Sequence, residues 1–247
     1  MSEVPDPSAG AHRQLRHPDL ARDFQGKVQK SIDWLAFQLA AHASASEDDY
    51  EVHARQVRND ARLDRHLPFP TAREVAREIL SRQTITDAFQ LSLAALHQNH
   101  LFLCLYKINR EANAPRLEVQ RQAQERQQQF QKVALRRKFQ ILREEYGIEC
   151  LLDASIHGLS ILAESLVKQQ TVATPEILNR QGLFSLSFYT SLEEARAGEV
   201  AGTLLLQQGD SLVFSGEILL QALATAGVFA EDLFARTASL LGEQPHG

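Results

Sequence analysis

Two cysteines, one methionine and one tryptophan stand in a chain of 247 residues, of which 7% are aromatic. The cysteines, Cys104 and Cys150, lie far apart in apolar surroundings, which argues for reduced buried thiols and against a disulfide framework. No stretch reaches the roughly 18 uninterrupted apolar residues of a membrane span. The nearest approach, Leu91 to Tyr106, is interrupted by His97, Gln98, Asn99 and His100 and reads as a core helix. The first residues, 1–18, are polar and Pro-containing with no apolar segment of a secretory signal, and are expected to form a disordered tail. Nothing matches a phosphate loop, a paired zinc-ligand motif, an aromatic ribonucleoprotein strand or the helical Glu-x-x-His pairs of a di-iron bundle. The expectation is a cytoplasmic protein with no membrane segment and no cofactor.

Apolar content of 44% with 23% charged residues is ordinary for a globular chain of this size. The fold class expected is mainly α: a helical bundle with one long Gln/Arg-rich helix and a small α+β C-terminal region. The parts are a tail (1–18), a helical domain (19–170) and an α+β subdomain (171–247). A first amphipathic helix, about 19–42, presents Val28, Ile32, Leu35 and Leu39 at steps of three and four, with Trp34, Ala36 and Phe37 broadening the face. A charged segment, 44–66, is expected to form a mobile or solvent-laced helix. Pro68 and Pro70 then stop the chain, and Thr71 with Glu74 forms a capping box. The helix that follows is expected to turn near Thr84–Asp87 before continuing to Asn109. This order is that of a helix-turn-helix, but the second helix is apolar nearly all round and offers no polar face to bases.

From Arg116 to Tyr146 there is no Gly or Pro, and Gly147 is placed to end the run. It reads as one long helix whose second half buries Phe130, Leu135, Phe139, Leu142 and Tyr146. Its first half, rich in Gln, has little to bury and either projects into solvent or pairs weakly. Between Asn113 and Arg143 eight basic residues face two acidic ones, although the whole chain has a net charge of −5. The acidic stretch 151–247 is one counterpart, and a partner surface is another. Arg121, Arg126, Arg136, Arg137 and Lys138 are the candidate partner-binding residues, joined by Arg143 if the target is a nucleic acid.

Beyond Gly147 an amphipathic helix carries Leu152, Ile156, Leu159, Leu162 and Leu166. Thr174-Pro175-Glu176 signals another helix start. Phe184, Leu186 and Phe188 alternate with serines as in a half-buried strand. Ser191 and Glu194 cap a short helix closed by Gly198. A hairpin is expected from 203–206 and 211–214, followed by two helices on either side of Gly227.

Two constellations bear chemistry. His97, His100 and Cys104 share one face of the apolar helix, and a metal there would need a further ligand from His66, His157 or Asp153. The competing reading is a polar seam on a core helix. Asp153 and His157 are one turn apart, a spacing at which a carboxylate orients an imidazole. No nucleophile is tied to them. The sequence favours a non-enzymatic adaptor, scaffold or regulator that binds a protein partner or itself through the long helix. The alternatives are a nucleic-acid-associated factor using the basic run and a metal-dependent enzyme at His97 and His100.

Overall fold

A computed structural model of the chain describes residues 17–44, 47–60, 70–111 and 115–242. The expectations for residues 1–16 and for His66 lie outside the described residues. His17 and Pro18, assigned to the tail, instead open the first helix. Among the described residues the protein is mainly α, with eight helices and one antiparallel two-stranded sheet. The order is α1 (His17–Ala43), α2 (Glu47–Asp60), α3 (Ala72–Glu111), α4 (Arg116–Lys132), α5 (Leu135–Tyr146), α6 (Asp153–Val167), β1 (Leu183–Phe188), α7 (Leu192–Ala197), β2 (Gly202–Gln207) and α8 (Gly216–Leu241).

The last helix is the centre of the molecule. Leu219, Leu223, Ala226, Phe229, Ala230, Leu233 and Phe234 of α8 are buried, packed chiefly by α3 and α1 and also by α6, α7 and the sheet. By length and composition α8 could cross a bilayer, yet 61% of its apolar window is buried within the fold. One core cluster takes residues from both 19–170 and 171–247. The two helices expected around Gly227 are a single helix. Gly227 sits where α1 crosses, and a Cβ there would come within 3.1 Å of Val28 Cγ1. The glycine is a contact point between helices and not a break.

Helix α3 is likewise continuous where a turn was expected. Its 40 residues span about 60 Å. Thr84 and Ile85 are buried in its packed face, and no Gly or Pro lies within it to interrupt the backbone ladder. The helix-turn-helix geometry is therefore absent from this segment. Its start is as expected: Thr71 Oγ1 accepts from the Glu74 amide at 3.2 Å, and Glu74 Oε2 accepts from the Thr71 amide at 2.7 Å.

The long helix is two helices. Backbone at Val133 and Ala134 is extended (ψ 155° and 152°), separating α4 from α5. The first of these is not a projection, because Val119, Ala123, Gln127 and Phe130 form a buried stripe on it against α3. Gly147 ends α5 in the left-handed conformation at φ 69°.

In the C-terminal region β1 pairs with β2, from Leu183 opposite Gln207 to Phe188 opposite Gly202. The expected 203–206/211–214 hairpin does not form. Instead the Ala173 amide donates to Asp210 O at 2.8 Å and the Leu212 amide to Thr171 O at 2.9 Å, while Ser81 Oγ on α3 accepts from the Phe214 amide at 2.8 Å. Thr174-Pro175-Glu176 starts only one 3-10 turn, Pro175–Ile177. The Ser191/Glu194 capping box and the Gly198 stop are both present on α7.

A larger side chain at Gly227 has to push α1 away from α8. Gly227→Val is expected to cost about 1–3 kcal/mol, read as a lower urea midpoint at unchanged slope; an unchanged midpoint would mean that α1 and α8 do not close on this residue.

Candidate functional site

The histidines expected as a seam or a metal site lie where α3 meets α4 and α5. His100 is buried and its Nδ1–H donates to Gln127 Oε1 at 2.6 Å, since the Gln127 amide nitrogen donates to the His97 carbonyl at 2.8 Å. The imidazole also lies flat on Phe130, with centroids 3.7 Å apart and 6° between planes. Cys104 Sγ is 3.3 Å from the Tyr146 hydroxyl and 3.6–3.7 Å from both ring nitrogens of His100. His97 does not join them. Its Nε2 is buried without a partner, and its ring meets the Phe130 edge at 6.0 Å.

Burial sets the protonation of this seam. It lowers the pKa of His97 to about 4, helped by the nearby Lys138 charge, and lowers that of His100 against the opposing hydrogen bond from Gln127. It raises the Cys104 thiol and the Tyr146 phenol. A thiol held protonated is a poor metal ligand. Among the described residues no three His, Cys, Asp or Glu side chains are grouped to hold a metal. The seam is a hydrogen-bonded helix contact that fixes the rotation of α4 on α3.

Lys138 belongs to the same region and overturns its placement on a binding surface. Only 3% exposed, its ammonium donates to the carbonyls of Phe130 at 2.7 Å, Gln131 at 2.8 Å and Val133, and lies over the Phe130 ring. These are the last carbonyls of α4 and the break beyond it, which have no helical partner. Lys138 is thus the clasp that closes α4 and turns the chain into α5.

The other basic candidates separate. Arg121 is held between Glu118 and Glu125 at 2.7 and 2.6 Å on its own helix. Arg137 pairs with Glu144 at 3.0 Å, and Arg126 is exposed. Among the described residues the expected counterpart in 151–247 contributes only Asp153 to the ion pairs of this run, 3.9 Å from Arg143; the other acidic partners are local.

Arg136 and Arg143, by contrast, line one cleft of about 360 Å³ with Phe139, Gln140, Asp153, Ala154 and His157. The Asp153–His157 pair is not formed as a catalytic dyad: Arg136 Nε donates to His157 Nε2 at 3.3 Å and Asp153 faces Arg143. His157 Nδ1 is buried without a partner. Burial and the Arg136 charge lower the His157 pKa. The helical spacing of Arg136 and Arg143, seven residues apart, was the available signal for this grouping, but the partner helix α6 was not.

No family model, curated protein or solved structure matches the chain.

Two measurements test these placements. Lys138→Met leaves three carbonyls without their donor and is expected to cost about 2–4 kcal/mol in urea unfolding, whereas Arg137→Gln changes stability by less than about 0.5 kcal/mol. Equal effects would place Lys138 on the surface. The histidines give a pH signature. With its folded pKa near 4 and an unfolded value of about 6.5, His97 takes up a proton more readily in the unfolded chain across that window. His100 and His157 shift in the same direction. Stability is therefore complete above about pH 6.5 and falls as pH drops toward about 4. The urea midpoint is expected to fall from pH 7.5 to 5, and less so in His97→Leu.

Proposed function

We propose that the protein is a non-enzymatic, cytoplasmic interaction protein, an adaptor or regulator, that meets a protein partner or a second copy of itself. The observation that carries this reading is on α1. Its only tryptophan, Trp34, is 50% exposed and stacks on Phe37, 62% exposed, at a centroid distance of 5.8 Å. The periodicity of α1 places both on the buried face. That face is instead supplied by Phe24, Val28 and Leu35, which leaves the two rings on the outside of the same helix. Burying the exposed remainder of each would yield about 1–2 kcal/mol, and tryptophan is enriched among residues that dominate binding energy. Single exposed apolar residues are common; two large aromatic rings stacked together outside the core form a preassembled apolar patch.

The 117–139 surface has less support as the association site, because its apolar stripe is used against α3. What remains outward on α4 is polar, apart from Leu117 at 80% exposure. The nucleic-acid reading is weakened by the burial of Lys138 and the pairing of Arg121 and Arg137. The metal-dependent reading is weakened because His97 stands apart from His100 and Cys104.

The lone tryptophan makes the test direct. On association Trp34 emission is expected to shift to the blue and lose iodide quenching, with protein concentration if the partner is a second copy. A photo-crosslinker at position 37 reports a different partner. Trp34→Ala with Phe37→Ala is expected to weaken association at least tenfold, about 1.4 kcal/mol, at unchanged melting temperature. A chain that sediments as a monomer at every concentration and gives no adduct from position 37 in cells would refute the proposal.

A further inference from the structure

In the cleft between α5 and the start of α6 the fold leaves guanidinium donors open. Arg136 spends Nε on His157, and this is its one hydrogen bond among those of the described residues. Arg143 has Glu149 and Asp153 at 3.9 Å, near enough to attract and too far to hydrogen-bond. Both guanidiniums therefore keep open donors. Because His157 Nε2 accepts from Arg136, its proton is on Nδ1, and that N–H has no partner either. The cleft wall at Ala154 is the first turn of α6, whose N-terminus has no side-chain cap. By contrast Arg121 already lies between two carboxylates on its own helix.

Charge and size decide which anion fits. Two guanidiniums and one carboxylate line the cleft, and the imidazole is neutral near pH 7 because burial and Arg136 oppose its protonation. Arg143 is shared between Asp153 and Glu149, so among the described residues the one cation of the cleft without a carboxylate partner is Arg136, a single uncompensated charge. A phosphomonoester brings about −1.5 to −2 at neutral pH and would set its excess charge against Asp153. A carboxylate matches the single charge and the planar donor fork of arginine. The 360 Å³ volume holds a Glu or Asp side chain with flanking backbone.

We propose that the Arg136–Arg143 cleft binds a carboxylate side chain of an acidic peptide segment on a protein partner. This rests on the reading of the protein as an interaction protein and adds the chemistry of what it recognises. Arg136 and Arg143 hold the carboxylate, His157 positions Arg136, and Asp153 discriminates against more highly charged groups.

The test uses the full chain and a labelled peptide of alternating Glu and Gly, with three controls: the same peptide with Gln for Glu, the same peptide with phosphoserine for Glu, and free acetate. Fluorescence anisotropy is expected to show binding of the Glu peptide that weakens with added salt and is lost with Gln. Arg136→Gln with Arg143→Gln is expected to weaken it at least tenfold, and Arg137→Gln to leave it within twofold. The His157 ring resonances should shift on titration. Acetate producing the same ring shift without the peptide shows the same carboxylate chemistry, and tighter binding of the peptide assigns the source to a protein segment. Three results overturn the proposal: no Glu-peptide binding at millimolar concentration, binding insensitive to the double substitution, or phosphoserine peptide binding tenfold tighter than Glu. Since the peptide has no aromatic residue and the assay does not use Trp34, failure here leaves the α1 association test standing, and the reverse also holds.

Discussion

Helix α8 is apolar on more than one face, and the rest of the molecule is arranged to cover it. Leu219, Leu223, Ala226, Phe229 and Leu233 are each 1% exposed or less. A helix of this kind needs neighbours on several sides, and α1, α3, α6, α7 and the sheet supply them. The closeness of that wrapping depends on small residues. Gly227 admits Val28, and Gly158 on α6 admits Leu186 of β1, whose Cδ1 would lie 2.8 Å from an added Cβ. The small sheet thus helps to close the same core that α1 and α3 cover.

Phe130, Phe139 and Leu142 tie α4 and α5 to that core, and a second contact beside it fixes them on α3. It is partly polar, and its members satisfy one another: Gln127 bridges His100 and the His97 carbonyl, Cys104 meets Tyr146, and Lys138 caps the end of α4. A buried polar contact of this kind fixes rotation and register, because a shifted helix strands each donor and acceptor. The same satisfaction explains why these residues make a weak case for catalysis. Their chemistry is consumed in holding helices together, with the unpaired Nε2 of His97 as the exception.

The two surfaces proposed for recognition differ in this respect. Trp34 and Phe37 expose apolar area that a folded chain ordinarily buries, and Arg136 and Arg143 hold charge with open donors. One offers burial and the other electrostatic selection, which together are the usual means by which a protein interface gains affinity and specificity.

Much of the helical content could be read from the chain alone because its signals are local. The Thr71/Glu74 and Ser191/Glu194 capping boxes, the Gly147 and Gly198 stops, the Leu183–Phe188 alternation and the stripe on α6 depend on residues a few positions apart. The errors share one cause. The Val133–Ala134 break is stabilised by Lys138 reaching back to carbonyls of the previous helix, and no Gly or Pro marks it. Gln127 is buried because His100, 27 residues earlier, offers it a partner. Gly227 and Thr84 resemble breakers until packing against other elements makes them interior helix positions. Nor does periodicity say which of Val28, Trp34, Leu35 and Phe37 faces inward until α8 and α3 take their places against α1. The sequence by itself determined which segments are helical, several of their caps and the apolar residues available for a core. Only the tertiary structure decided which residues met, because pairing across elements depends on side chains distant in sequence, and so it alone separated the clasp Lys138 from its neighbours Arg136 and Arg137 and put Arg136, Arg143 and His157 into one cleft.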